Sequence, residues 1–308
     1  VLQIIVVTNK KQNMSNAIEC NNLTHYYGEK MIYENLNIHV KEGSILGLLG
    51  KNGSGKTTTI NILNGFLQPR SGECLIYGEN TQHLTPKTKA RIGFLIEGHI
   101  QYTFMNINQI EKFYSGFYPN WDNEPYWELM SKLKVVPKQK ISSMSCGQRS
   151  QVALGLILAQ DPDLLILDDF SMGLDPGYRR LFIDYLREYA KAKKKTIFTT
   201  SHIIQDMERL IDDVLIMDFN GVLAQRNVNE FINEFKQFYL EVEDPSTDLS
   251  NEEFVANFEK VHNKVEIYTY QSETFVKSFL QKKGIAHTNF KEVKMGLEDA
   301  FIGLTGKY

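Results

Sequence analysis

An α/β fold, with helices laid against a mostly parallel sheet, is predicted by three observations. Short apolar or β-branched runs at Ile45 to Leu49, Leu164 to Asp168 and Thr196 to Thr200 suit strands buried on both faces. Longer stretches around Thr57 to Leu67, Cys146 to Ala159 and Tyr178 to Lys191 carry helical spacing and alternate with those runs. Between the first strand and the first helix lies Gly50-Lys51-Asn52-Gly53-Ser54-Gly55-Lys56-Thr57, a Gly-x4-Gly-Lys-Thr phosphate loop. A strand before it and a helix after it is the context that gives this motif a mechanism.

The loop's glycines let the backbone wind tightly and aim N–H groups inward. Nucleotide phosphates then sit at a helix N-terminus, whose partial positive charge favours them. Gly50, Asn52, Gly53, Ser54, Gly55, Lys56, Thr57 and Thr58 are therefore read as nucleotide-binding. Lys56 is expected to reach the β- and γ-phosphates, and the Thr57 hydroxyl to ligate Mg²⁺.

The remaining elements follow in order. Val1 to Val7 is too short for an anchor and lacks the basic start of a signal peptide, and Met14 is an alternative start, so 1–16 is read as an N-terminal extension. Asn220-Gly221, after Val214 to Phe219, is a hairpin signal with Val222 to Ala224 as the return strand. A boundary is placed near residue 226, with the α/β domain over 17–226 and a small α+β appendage over 227–308. The appendage is read as a helix over Val228 to Gln237, a strand over Phe238 to Val242 and a polar bend over Glu243 to Asn251. An alternating strand over Val265 to Tyr270 and a helix near Glu273 to Lys283 follow.

Composition narrows the function. The 308 residues are 42% hydrophobic and 23% charged, as in soluble globular proteins. A formal charge of −3, from 34 basic and 37 acidic side chains, gives no overall basic field for nucleic acid. The lysines at 191, 193, 194 and 195 read as a solvated helix C-terminus. Cys20, Cys74 and Cys146 lack metal-site spacing and read as reduced thiols. No apolar stretch approaches the roughly 20 residues of a membrane-spanning helix.

Leu164-Leu165-Ile166-Leu167-Asp168-Asp169 is an apolar strand ending in two carboxylates. Downstream of a phosphate loop, the first acid at such a strand end is expected to hold Mg²⁺, so Asp168 takes that role. Asp169 is then placed to orient or deprotonate the water that attacks the γ-phosphate. Between loop and strand lies Met144-Ser145-Cys146-Gly147-Gln148, where Ser145 also reads as a helix N-cap.

With these residues the chain resembles the nucleotide-binding subunit of an ATP-binding-cassette transporter, whose signature is Leu-Ser-Gly-Gly-Gln. Ser145, Gly147 and Gln148 match it; Met144 and Cys146 depart conservatively. The resemblance implies a P-loop nucleotide-binding domain with a helical subdomain over about 100–160. It implies that two subunits, alike or different, sandwich two ATP molecules, each signature segment acting in trans. Tyr27 resembles the aromatic that stacks on adenine, His202 the switch histidine at the γ-phosphate, and Met172-Gly173-Leu174-Asp175 the loop that couples the two sites. Two positions depart from the family pattern. Asp169 stands where a catalytic glutamate is usual, and Glu97 where a glutamine usually senses Mg²⁺ and the permease.

The resemblance further implies a separate integral-membrane permease, docked by the aromatic-rich segment from Ile100 to about Lys140, and a peripheral position on the cytoplasmic face of the membrane. Phe117 to Asp122, Asp168 to Arg180 and Gly296-Leu297-Glu298-Asp299-Ala300-Phe301 are similar to bacterial cassettes that export antimicrobial peptides and toxins, phenol-soluble modulins among them. Two other readings stay open on these residues: a weakened regulatory subunit of an asymmetric pair, motivated by Asp169, and a non-transport ATPase of the same family.

Overall fold

The computed structural model describes residues 15–95, 102–132, 134–171, 173–219 and 221–306. The first half runs β1 (Asn16–Tyr27), β2 (Lys30–Lys41), β3 (Ile45–Gly50), α1 (Lys56–Leu63), β4 (Ser71–Ile76), β5 (Glu79–Asn80), α2 (Pro86–Lys89), β6 (Ile92–Leu95), α3 (Ile107–Ser115), α4 (Glu124–Lys132) and α5 (Cys146–Ala159). Then come β7 (Leu164–Asp168), α6 (Pro176–Lys193), β8 (Thr196–Thr200), α7 (Ile204–Leu210), β9 (Asp213–Asp218) and β10 (Gly221–Asn227). The C-terminal part adds α8 (Val228–Glu234), β11 (Lys236–Val242), β12 (Asn257–Val261), β13 (Lys264–Thr269), α9 (Glu273–Lys282), β14 (His287–Val293) and α10 (Leu297–Thr305).

The predicted parallel sheet is present in the order β10-β9-β3-β8-β7-β6, with β10 antiparallel at one edge. Its strands divide their side chains between two cores with period two. Leu46 and Leu48 of β3, with Leu164 and Ile166 of β7, face one core. Ile45 and Leu49, with Leu165 and Leu167, face the other. Both faces are sealed, which is why these segments read as continuous apolar runs rather than as alternations.

A second sheet, entirely antiparallel in the order β2-β1-β4-β5, covers the Leu46 face. The sequence reading missed it, although Leu36, Ile38 and Val40 alternate with exposed residues along β2. On the opposite face lie α5, α6 and α7. Helix α7 is seated closely: a Cβ at Gly47 of β3 would lie 2.4 Å from the Met207 methyl carbon.

The helical segment between β6 and β7 is built on two capping boxes, Asn106 with Gln109 at α3 and Ser145 with Gln148 at α5. Tyr126 of α4 is fully buried, donates its hydroxyl to the Ile107 carbonyl at 2.8 Å, and packs where Gly155 of α5 leaves room. The lysine run at the end of α6 is solvated as expected at Lys191, Lys193 and Lys194, but it also carries acidic partners. Lys195 is buried 2.9 Å from Asp161, Lys193 reaches Asp122 at 2.7 Å, Lys191 pairs with Asp212, and Lys194 takes the left-handed C-cap. Acidic partners on three other segments turn a run of like charge into a structural knot.

Helix α8 stops at Glu234, short of the expected Gln237, because Phe235 turns to extended backbone and Lys236 and Gln237 pair with Thr269 and Tyr268. The last sheet, β12-β13-β11-β14, is antiparallel and shares a core with α9 through Phe238, Leu240, Ile267, Val276 and Leu280. Strands β12 and β14 are edge strands with little apolar alternation, and so left no signal in the sequence. Helices α8 and α10 pack differently. Phe231, Leu297, Ala300 and Phe301 join the core that holds Met207 and Leu210, so that core continues across position 226.

The β1–β4 register sets Cys20 opposite Cys74, with sulfurs 3.1 Å apart and both residues buried, while Cys146 is exposed. The neighbouring Cys74 sulfur and burial push the Cys20 thiol well above its ordinary range, away from the reactive thiolate. A thiol reagent added to native protein is expected to modify Cys146 rapidly, and Cys20 and Cys74 at least roughly tenfold more slowly. Denaturant should release all three; three equally fast thiols in the native protein would contradict this packing.

Candidate functional site

One cleft of about 320 Å³ collects most of the predicted residues. It is lined by Tyr27, Asn52, Gly53, Gly55, Lys56, Thr57, Thr58, Asp168, Asp169 and His202. The loop that forms its floor leaves the buried end of β3 and enters α1. Gly53 and Gly55 lie at φ 85° and 99°, in the left-handed region that favours glycine. Gly55 meets a close approach as well, because a Cβ there would sit 2.8 Å from the Tyr33 ring and from Ile32. Thr59 of α1 donates its hydroxyl to the Gly55 carbonyl at 3.0 Å, and its oxygen lies 3.5 Å from the Tyr33 hydroxyl. The antiparallel sheet thus braces the phosphate loop from below. Nothing in the sequence marks Tyr33 for this task.

Lys56 curls over its own loop, its Nζ donating to the Gly50 carbonyl at 2.6 Å and the Lys51 carbonyl at 3.2 Å. Burial lowers its pKa, while the Asp168 and Asp169 carboxylates oppose that shift. A polyphosphate arriving beside it would add to the effect of the carboxylates and favour the charged ammonium.

At the end of β7 the two carboxylates diverge. Asp168 accepts a hydrogen bond from the Thr200 hydroxyl, its register partner on β8. Asp169 is buried and leaves the strand at φ 46°, a conformation that aspartate tolerates better than most residues. Its N–H donates to the Thr200 carbonyl at 3.2 Å and to the Thr200 hydroxyl at 3.3 Å. Its Oδ1 accepts from the His202 backbone at 3.4 Å, and its Oδ2, without a hydrogen-bond partner, lies 3.6 Å from His202 Nε2. The sequence reading missed Thr200 and Ser201, both cleft residues; the hydroxyl run Thr199-Thr200-Ser201 at a strand end was the available signal.

Tyr27, half exposed at the end of β1, is held on edge by the buried His25 ring, with centroids 4.8 Å apart. A flat aromatic face at the rim of a phosphate cleft suits a stacked base.

Ser145, Gly147, Gln148 and Asp175 do not line the cleft. Ser145 Oγ accepts from the Gln148 N–H at 3.2 Å, and Gln148 Oε1 from the Ser145 N–H at 3.0 Å, so the N-cap reading holds. Asp175 caps α6, accepting from Gly177 and Tyr178. A Cβ at Gly147 would lie 2.8 Å from the Gly173 carbonyl oxygen, so the signature segment and the loop before α6 pack backbone to backbone. Glu97 and Met172 lie outside the described residues. The predicted residues therefore form a phosphate cleft and, apart from it, a second group carrying a serine hydroxyl and a helix N-terminus.

Known proteins resemble this chain over most of its length. The sequence profile described as ABC transporter matches residues 33–171. The chain is 29% identical to the bacitracin transport ATP-binding protein BcrA of Bacillus licheniformis, over 95% of this chain and 98% of that protein. It is 30% identical to the Nod factor export ATP-binding protein I of Cupriavidus metallidurans, over 71% and 74%. Among solved structures, a dimeric ATP-binding cassette in a post-hydrolysis state with ADP and Pi superposes with a TM-score of 0.58 at 21% identity, over 68% of this chain and 98% of that one, which shows the shared P-loop fold. On its motifs, its fold and these relatives, the chain belongs to the ATP-hydrolysing, ATP-binding subunits of ABC transporters.

Proposed function

We propose that this subunit binds ATP with Mg²⁺ in the cleft, closes against a second nucleotide-binding subunit, and powers export of amphipathic compounds, antimicrobial peptides or toxins through a separate membrane permease. The observation that carries the reading is the division of the site. The cleft around Lys56 contains none of Ser145, Gly147 and Gln148, whose hydroxyl and helix N-terminus are suited to grip a γ-phosphate presented by another subunit.

The residues present fit Mg²⁺. Thr57 and Asp168 both line the cleft, an oxygen pair of the kind that holds this ion together with waters and substrate phosphates. Bound there, the ion supplies charge neutralisation at the β- and γ-phosphates. Lys56 binds the same phosphates, Tyr27 orients the base, and Asp169 takes the proton of the attacking water. His202, beside Asp169, contacts the γ-phosphate. Glu97, placed by sequence alone, is taken as a further metal-side group that senses the permease.

Residues 227–308 are taken as an appended α+β unit. The permease is taken to dock on the helical segment, where Tyr102, Phe104, Phe113 and Phe117 are exposed. Their rings meet edge to face, with Tyr102–Phe113 and Phe113–Phe117 centroids each 5.1 Å apart. An exposed aromatic cluster of this kind suits a partner surface. No helix among the described residues is long and apolar enough to cross a membrane, in keeping with a peripheral subunit on the cytoplasmic face. The export direction and the cargo class rest on the bacitracin and Nod factor relatives. The alternative of a regulatory, weakly hydrolysing subunit is favoured by the shorter carboxylate at Asp169.

Steady-state ATPase measurements on the subunit with its co-purified permease separate the two readings. Asp169→Asn is expected to lower stimulated turnover by about a hundredfold or more with ATP affinity retained, as for loss of a general base. Unchanged turnover would remove Asp169 from catalysis and favour the regulatory reading. Gly55→Ala forces a Cβ into Tyr33 at a left-handed φ. It should destabilise the fold by about 1–3 kcal/mol and abolish measurable binding of a fluorescent ATP analogue. Phe113→Ser with Phe117→Ser should lower permease recovery in membrane co-purification while leaving ATP affinity unchanged; undiminished recovery would move the docking surface elsewhere.

A further inference from the structure

The segment Gly296-Leu297-Glu298-Asp299-Ala300-Phe301 opens α10, whose two ends meet α7 and the phosphate loop. At its start the Leu297 N–H donates to Glu208 Oε2 at 2.9 Å, and Glu298 Oε2 accepts from Gln205 Nε2 at 2.9 Å. Both partners belong to α7, the helix that begins at Ile204 immediately beyond His202. The approach is close, since a Cβ at Gly296 would stand 3.1 Å from Glu208 Oε2. At its end the carbonyl of Thr305 accepts from Lys51 Nζ at 2.7 Å, and Lys51 is the residue after Gly50 in the phosphate loop. Between the two ends, Leu297, Ala300 and Phe301 are buried in the core that also holds Met207 and Leu210 of α7.

The chemistry at the far end favours a cation. The last carbonyls of a helix have no partner within it and carry the negative end of its dipole. An ammonium set 2.7 Å from one of them makes a charge-assisted bond, stronger than a neutral one. A single rigid rod thus touches the loop that receives phosphates and the helix that follows the switch histidine.

We propose that α10 is a positioning element of the ATP site, with Lys51 as its positioning residue: the Lys51–Thr305 bond holds the phosphate loop to the same helix that Gln205 and Glu208 hold to α7. The proposal rests on ATP binding in the cleft. Nucleotide occupancy and the placement of the C-terminal segment are then coupled, and the coupling is reciprocal. Whatever moves the C-terminal sheet changes ATP affinity, and ATP in turn steadies that sheet.

Hydrogen exchange of the full chain, with and without saturating MgATP, tests this together with ATP titration. In the wild type, ATP should slow exchange over 50–57 and also over 297–306. Lys51→Met should keep the slowing over 50–57 and lose it over 297–306, with the ATP Kd raised roughly threefold to tenfold, the net scale of one hydrogen bond. Lys51→Arg should restore most of both. Glu298→Ala cuts the opposite end and touches no residue of the phosphate loop. It should also raise the Kd, and the double variant should cost less than the two singles combined. Slowing over 50–57 with none over 297–306 in the wild type would overturn the proposal alone, as would strict additivity of the two variants. No slowing over 50–57 would overturn the ATP-binding reading and this proposal with it.

Discussion

Strand β3 lies between β9 and β8 with both faces sealed, and this burial is the constraint on which the ATP cleft depends. A strand that cannot shift toward either core delivers Gly50 to a fixed point. From there the phosphate loop has little freedom, because Tyr33 closes on Gly55 from the antiparallel sheet and Thr59 ties α1 back to that tyrosine. Hydrophobic burial sets the position, and a few hydrogen bonds refine it. The neighbouring strands β7 and β8 bring Asp168, Asp169 and Thr200 to the same edge in register with each other. Ligand binding outside the carboxyl ends of a parallel sheet follows from this geometry.

Electrostatics completes what packing begins. Lys56 is partly desolvated, flanked by its own loop carbonyls and faced by two carboxylates. A cleft in which a cation and two anions are held apart, with one carboxylate oxygen lacking a hydrogen-bond partner, is incomplete without a ligand that carries charge of both signs. A metal-bound polyphosphate is such a ligand.

How much of this was legible in the sequence depended on the range of the interactions concerned. The phosphate loop, the Asp168-Asp169 strand end and the Ser145 cap are written in contiguous residues, and the cleft brings the first two together. Tyr33 could not be found in that way, since its task comes from packing of the antiparallel sheet against Gly55 and Thr59, which lie well downstream in the chain. The partners of the lysines around the end of α6 escaped for a related reason. Asp122, Asp161 and Asp212, which pair with Lys193, Lys195 and Lys191, arrive from three other segments. Edge strands such as β14 have too little to bury to leave a periodic trace.

Gly147 lies so close to Gly173 that a Cβ on it would stand 2.8 Å from the Gly173 carbonyl oxygen. The start of α5 and the loop leading into α6 would therefore travel as one body. A displacement of one is passed to the other, because the carbonyl at the contact belongs to the backbone and cannot turn aside as a side chain could. Whatever pushes on the start of α5 thus reaches α6 through a lever, kept short and stiff by a residue with no side chain of its own.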